Sequence, residues 1–379
     1  MRNFIAFNPT KLHFGKQVVN ELGSAAVTLG KHALLVYGGG SVLRNGSYGD
    51  TLAQLNSAGL QVTEFKGIKP NPLVDDVRRA AKLGKESGAD LLVAVGGGSV
   101  IDSAKIIAVC MSGDYDAWDV MKGKHASLTS LPLIAVLTLA ATGTEMNGTS
   151  VLQNPETREK IGFNNEVMYP VHSFLDPAYT QSVPPDYTAY GTVDLIAHCL
   201  EAWFGNGDAT LSDRFVLSII QEAMEFGPAL RKNPDNYELR ARIMWAATTA
   251  LNNTTLHGRQ SGDWGVHALG HVLSFLHDTP HGATLSIIYP AWLRTMRVRA
   301  KERIELLGSG LFGTSGVEDT IQRLTELFIT LGSPVRCQDA GIAKNARREI
   351  LELMNQTRAG GIHYNLTEAE REEILRYIW

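Results

Sequence analysis

The sequence predicts two domains of different class: an α/β domain with a parallel sheet over residues 1–185, then an all-α domain over 186–379. Three observations carry this reading. Short β-branched runs alternate with helix-like segments up to about residue 176, the pattern of a parallel sheet with helices on both faces. Two of those runs end in Gly-Gly-Gly-Ser, at 38–41 and 96–99. From Pro184-Pro185-Asp186 onward, one helical pattern follows another and no convincing strand returns.

Ala33–Tyr37 reads as a buried strand, followed by Gly38-Gly39-Gly40-Ser41 and a helix to about Ala58. Gln61–Phe65 is a second strand. Lys69-Pro70-Asn71-Pro72 is a turn, with Pro72 suited to an early helix position, and Val74–Glu86 is an amphipathic helix. Asp90–Val95 is a third strand, with Gly96–Ser99 and a helix to about Val109 behind it. Leu133–Thr138 is a fourth, and Ile161–Phe163 and Val171–Leu175 are shorter candidates. Asp186 can cap the first helix of the second domain. Helices are expected at about 187–203, 210–230, 235–254, 264–276, 286–308, 316–331, 340–356 and 367–378. Thr367 and Glu370 stand at capping-box spacing for the last of these. A cleft between two such domains is a common place for a ligand.

Composition narrows the class. The 379 residues are 44% hydrophobic and 20% charged, as expected of an ordinary soluble protein. A formal net charge of -4 with no long basic run argues against nucleic acid and anionic membrane as partners. No apolar run approaches bilayer length, and the first residues, MRNFIAFNPTKLHFG, lack a signal-peptide apolar region. Cys110, Cys199 and Cys337 are sparse and form no CxxC, so a cytoplasmic, reduced protein with packed cysteines is expected.

Both Gly-Gly-Gly-Ser segments follow a strand and open a helix, where backbone N–H groups without side chains in the way can cradle phosphate. Neither matches GxGxxG, so the domain is Rossmann-like without the standard fingerprint. A tight turn is the plainer account of each loop, and Ser99 with Asp102 also fits a capping box. Two loops at equivalent strand ends strengthen the case for a dinucleotide, because open α/β sheets bind ligands at the carboxyl ends of their strands. The first loop should lie near the adenosine ribose. An acid there would bind the ribose hydroxyls and repel a 2′-phosphate. Tyr37–Ser41 contains none, Ser41 can donate a hydrogen bond, and Arg44 is close, which favours NADP(H).

The stretch from His267 to His281 holds four of the eleven histidines. His267 and His271 share a helix face, as i and i+4. His277 and His281 are separated by Asp278-Thr279-Pro280, and Pro280 should end the helix. On one straight helix His267 and His281 would stand roughly 21 Å apart and could not share an ion. A turn after about Phe275 and an extended return of five or six residues, at about 3.3 Å each, would recover most of that distance. Asp194 and His198, again at i and i+4 in a strongly helical segment, can reach one ion together. Packed or surface histidines are the bland alternative for each residue alone. One carboxylate with several imidazoles suits iron, zinc, nickel, cobalt or manganese.

These features together resemble the iron-containing (group III) alcohol dehydrogenases, and more closely their NADPH-dependent aldehyde reductase or butanol dehydrogenase branch. The matching segments are GGGSVIDSAK at 96–105, Pro70-Asn71-Pro72, TLAATGTEMN at 138–147, Phe174-Leu175-Asp176-Pro177, DLIAH at 194–198 and the His267…His281 pair. They span nearly the whole chain in order. The resemblance implies metal ligands at Asp194, His198, His267 and His281. It implies that His271 lies beside the nicotinamide and substrate, and it gives His277 no role. For the cofactor it implies Gly38, Gly39, Gly40 and Ser41 on the adenosine side. Gly97, Gly98, Ser99 and Asp102 fall on the pyrophosphate and nicotinamide side, with Asn71, Thr138, Thr142 and Lys160 completing the set. A solvated charge beside Arg158 and Glu159 is the bland alternative for Lys160.

The implied activity is hydride transfer between NADP(H) and a small alcohol or aldehyde, with a divalent ion polarising the substrate oxygen. A homodimer is the family expectation. His271 is a candidate for relaying a proton. A glycerol-dehydrogenase-like polyol oxidoreductase and a dehydroquinate-synthase-like lyase are the nearest enzymatic rivals. A metallohydrolase with no cofactor is the rival from another class.

Overall fold

The computed structural model describes residues 1–379. The chain divides into two compact units. Relative to a single cut at residue 185, two segments change sides: Pro234–Thr248 belongs with the sheet unit and Met1–Ala6 with the helical unit. Met244 explains the first, since it is buried in the same apolar cluster as Leu152 and Met168. The second follows from Arg2, whose N–H donates to the Gly258 carbonyl (3.0 Å), and from Phe4, stacked on His257.

The sheet unit, Phe7–Pro184 with Pro234–Thr248, contains eight strands. They are β1 (Lys11–Phe14), β2 (His32–Tyr37), β3 (Gln61–Lys66), β4 (Leu91–Gly96), β5 (Leu133–Leu137), β6 (Thr149–Asn154), β7 (Glu159–Asn164) and β8 (His172–Leu175). Six make a parallel sheet in the order β1-β8-β5-β4-β2-β3, and β6 and β7 make an antiparallel pair. Its helices are α1 (Leu22–Ala26), α2 (Ser41–Arg44), α3 (Ser47–Ser57), α4 (Val74–Ser87), α5 (Gly98–Ser112) and α6 (Ala117–Met121). The central strands are apolar throughout because both faces are covered. Leu34, Val36, Leu92, Ala94 and Ala135 pack with Val77 of α4 and Ile101 and Ile107 of α5. The alternate residues Leu35, Val93, Ile134 and Val136 pack with Leu22 of α1 and Leu55 of α3.

Sequence and structure differ here in several places, and β1 is a strand that the sequence reading does not contain. The expected helix from Ser41 to Ala58 is broken at Asn45-Gly46. Gly46 takes φ 86, and the Asn45 side-chain oxygen accepts from the Ser47 N–H and hydroxyl, which is turn chemistry. Pro72 lies outside α4, where its carbonyl accepts from Gln153 N–H (2.9 Å). The short strand expected at 161–163 is the centre of β7, paired with the unanticipated β6.

The helical unit begins with α7 (Pro185–Trp203) and α8 (Thr210–Lys232). The next helix, α9 (Tyr237–Ala250), lies mostly in the sheet unit. Then follow α10 (Gly265–His277), α11 (His281–Met296), α12 (Lys301–Phe312), α13 (Val317–Leu331), α14 (Arg347–Gln356) and α15 (Glu368–Tyr377). The capping box at Thr367 and Glu370 is formed. No helix is long and apolar enough to cross a membrane. The return after α10 is not an extended segment. Asp278, at φ 50, ends α10, and Pro280 stands at the N-cap of α11, so that three residues reverse the chain and His281 opens a new helix. The helix expected at 286–308 accordingly divides into α11 and α12.

Small residues let α7, α10 and α11 approach at backbone distance. A Cβ on Gly270 would stand 2.6 Å from the Thr284 hydroxyl, and one on Gly282 would run into the Tyr190 carbonyl. Gly282→Ala should therefore destabilise the protein by about 1–3 kcal/mol and lower the midpoint in a thermal melt. Gly49→Ala, whose Cβ meets nothing within 4 Å, is the control and should leave the melt unchanged or slightly higher.

Candidate metal and cofactor site

The candidate metal ligands come from three helices of one unit. On α7, Asp194, His198 and Glu201 recur at steps of four and three, so they share a face. His267 lies in the first turn of α10 and His281 is the first residue of α11. Asp194 is 2% exposed, and its Oδ1 has no hydrogen-bond partner. Three imidazole Nε2 atoms surround that oxygen, at 3.6 Å for His198, 3.8 Å for His267 and 3.7 Å for His281. These separations are too long for hydrogen bonds. They suit a shared ion, because ligand atoms about 2.1 Å from one centre at tetrahedral angles stand about 3.4 Å apart. The ligand atoms of Asp194, His267 and His281 all lie within 4.8 Å of one another, and the His198 ring stacks on His267 with centroids 4.9 Å apart. One carboxylate and three imidazoles, all buried except the half-buried His281, converge on an orphaned oxygen and fit a divalent cation.

Glu201 is the member that the sequence reading missed, although its spacing from Asp194 and His198 on one helix face was a usable signal. Its Oε1 accepts from His267 Nδ1 (2.8 Å) and from the His267 backbone N–H (3.0 Å). With Nδ1 held by Glu201, Nε2 is the ring nitrogen that faces Asp194. Burial alone would depress the His267 pKa, but Asp194 and Glu201 outweigh it and raise it to about 9. For His198 burial dominates, lowering the pKa to about 4 against the pull of Asp194, which leaves that ring neutral and ready to bind. Asp263 braces this arrangement. Its N–H donates to the Glu201 carbonyl (2.9 Å), and its Oδ1 accepts from the His363 and Tyr364 N–H groups (2.9 and 2.6 Å).

The other two histidines of the stretch separate clearly. The His271 ring lies 5.3 Å from that of His281, one turn along α10 from His267. His277 ends α10 and is not among the converging ligands.

In the sheet unit, both glycine loops leave the carboxyl ends of β2 and β4, which are neighbours. From β2 the chain steps to β3 on one side, and from β4 it steps to β5 on the other. The loops therefore flank the switch point of the sheet, where doubly wound folds bind ligands. Gly97 is the N-cap of α5, and a Cβ on Gly98 would stand 2.7 Å from the Thr142 methyl. Thr138 N–H donates to the Gly96 carbonyl (3.0 Å), so the loop after β5 lies beside the second glycine loop. Ser99 makes no cap, and the expected capping box with Asp102 does not form. Asp102 turns inward instead. Its two oxygens accept from the Thr144 hydroxyl (2.6 Å) and the Val151 N–H (2.9 Å). Lys160 Nζ donates to Asn71 Oδ1 (2.7 Å), and Asn71 itself has φ 54.

At the first loop, Gly38, Gly39, Gly40 and Ser41 lead into α2, and the Arg44 guanidinium lies 2.8 Å from where a Gly40 Cβ would be. Lys66 pairs with Tyr37 in register at the same strand ends. The acid on that edge, Glu64, accepts from the Tyr37 and Tyr48 hydroxyls (2.7 and 2.9 Å).

Elemental analysis checks the metal assignment directly. Replacing His267 or His281 with Ala should empty the site, while His277→Ala should leave metal content intact. Glu201→Gln should weaken metal retention roughly 10–100-fold in a chelator competition, the usual cost of losing an outer partner of a ligating histidine.

Comparison with known proteins places this geometry in a family. The model for "Iron-containing alcohol dehydrogenase" matches residues 9–177, and that for "Fe-containing alcohol dehydrogenase family, C-terminal" matches 188–378. A Bacillus subtilis protein named probable NADH-dependent butanol dehydrogenase 1 is 38% identical, over 99% of this chain and 98% of its own length. The NADPH-dependent aldehyde reductase YqhD of Escherichia coli is 34% identical, over 94% of each chain. The crystal structure of NADH-dependent butanol dehydrogenase A from Thermotoga maritima superposes with a TM-score of 0.95 at 34% identity, covering 100% of this chain and 99% of the other. The match runs through both units and both sets of site residues: the chain belongs to the iron-containing alcohol dehydrogenase family.

Proposed function

We propose that, within this family, the chain transfers hydride between NADP(H) and short-chain alcohols or aldehydes of the butanol/butyraldehyde type. The observation that carries the reading is the convergence of three imidazoles on the buried, orphaned Asp194 Oδ1. Asp194, His198, His267 and His281 would hold one divalent ion, iron by family habit or zinc by ligand type, with nickel, cobalt and manganese as further candidates. When bound, the ion supplies Lewis acidity toward a carbonyl or alcohol oxygen and the dinucleotide supplies hydride chemistry. Glu201 holds the His267 ring in the tautomer that binds. His271 moves a proton between the reacting oxygen and solvent. Gly97, Gly98 and Ser99 open α5 as a pyrophosphate cradle, with Asp102 behind them and Thr138 and Thr142 beside them. Lys160, steadied by Asn71, reaches the nicotinamide ribose.

The choice of NADP(H) rests on the Gly38–Ser41 loop, which carries no acid, and on the cations Arg44 and Lys66 beside it. The NADH dependence in the names of the Bacillus and Thermotoga relatives favours NADH instead. A homodimer in a reducing cytoplasm completes the proposal. Three free, buried cysteines suit that compartment, and β1 ends the sheet with one hydrogen-bonding edge uncovered by another strand.

Stoichiometric consumption of NADPH with butyraldehyde is the expected result. The polyol and hydrolase alternatives predict, respectively, preference for a diol and no nucleotide consumption. A charge-assisted contact to the 2′-phosphate should give NADPH an advantage of roughly ten-fold over NADH in kcat/KM, and an equal or reversed ratio transfers the assignment to NADH. His271→Ala should lower kcat by roughly 10²-fold and alter its pH profile. An unchanged profile removes the relay.

A further inference from the structure

We propose that Lys105 is a positioning residue for the dinucleotide: its buried ammonium clamps the loop after β5 onto the first turns of α5 and so sets the shape of the second glycine cradle. This rests on the reading that Gly97–Ser99 binds the cofactor, and it adds a residue to which that reading gives no role.

Lys105 is 0% exposed, an unusual position for a lysine. Its Nζ has three donors and three acceptors: the Thr144 hydroxyl at 2.6 Å, Asn147 Oδ1 at 3.2 Å and the Thr149 carbonyl at 2.7 Å. All three lie between the end of β5 and the start of β6. The Thr144 hydroxyl accepts from Lys105 and donates to Asp102 Oδ1 (2.6 Å), one turn earlier on α5. Asp102 Oδ2 then accepts from Val151 N–H, and the Asp102 carbonyl accepts from the Ser150 hydroxyl (2.9 Å each). A hydrogen-bond chain from Lys105 through the Thr144 hydroxyl to Asp102 thus fastens residues 144–151 to α5.

The loop so held is the one that meets the cradle. Thr142 lies two residues before Thr144, and its Cγ2 and Oγ1 stand 2.7 and 2.8 Å from where a Gly98 Cβ would be. A small shift of the loop would therefore open or close the space over the first N–H groups of α5. The third ionisable group of the cluster, Glu145, is also buried. Its Oε1 accepts from the Thr248 hydroxyl (2.6 Å), while Oε2 has no partner. Burial raises its pKa, as it does that of Asp102, and both carboxyl groups face the Lys105 ammonium. Burial lowers the Lys105 pKa to about 8, with Asp102 opposing, which keeps the ammonium charged at neutral pH. A fully satisfied buried pair is costly to break and rigid while intact.

The test compares wild type, Lys105→Met and the milder Thr144→Val, which removes only the bridging hydroxyl. NADPH and NADH affinities are titrated by fluorescence, alongside kcat with saturating cofactor, metal content and thermal midpoint. Lys105→Met should raise the dissociation constant of the preferred nucleotide by roughly ten-fold or more, and Thr144→Val by a smaller factor. Metal content should stay at the wild-type value, and kcat at saturation within roughly two-fold. If Lys105→Met does not fold, Thr144→Val alone decides. Unchanged nucleotide affinity in a folded Thr144→Val overturns the proposal, as does a loss confined to kcat. If wild type itself binds neither nucleotide, the cofactor reading fails first, which is a separate outcome.

Discussion

A single carboxylate oxygen, Asp194 Oδ1, constrains the helical unit. A buried carboxylate oxygen without a hydrogen-bond donor is expensive, and three imidazole nitrogens at 3.6–3.8 Å stand too far off to relieve that cost by donating hydrogen bonds. A cation among them relieves it. The rest of the unit can be read as the means of bringing these groups together. Glycines 270 and 282 let three helices approach closely, Asp278-Thr279-Pro280 reverses the chain so that His281 returns toward His267, and Glu201 turns the His267 ring.

The sheet unit solves a different problem with related means. Phosphate binding needs backbone N–H groups free of side chains, and the glycine loops at adjacent strand ends are where the proposal puts it. Bare backbone is conformationally loose, so it needs support from beneath. The ammonium of Lys105 and the carboxylate of Asp102 supply it from inside the protein, where exchange with water does not weaken them. Polar groups in this chain are thus buried in two ways: Lys105 and Asp102 have hydrogen-bond partners within the protein, while Asp194 Oδ1 is left open toward three imidazoles.

Much of the fold was legible because the central strands are apolar on both faces. Runs such as Ala33–Tyr37 and Leu91–Val95 have few other readings. Lys11–Phe14 at the sheet edge and Thr149–Asn154 in the antiparallel pair mix polar and apolar residues, so neither stood out as a strand. Asn45-Gly46 was visible as a turn signal but was overridden by the helical pattern around it. At the metal site, residue type and i,i+4 spacing located the candidates. Choosing His267 and His281 required the family resemblance, because the three-residue reversal that brings them together depends on tertiary packing of α11 against α7. Asp102 was readable as a helix-start residue, yet its inward turn depends on Thr144, forty-two positions away.

The most direct test of the account is the metal stoichiometry of purified wild type and Asp194→Asn, with circular dichroism to verify that both are folded. The prediction is one divalent ion per chain in wild type and a nearly empty site in the folded variant. Equal metal content in the two proteins would contradict the central role assigned to Asp194.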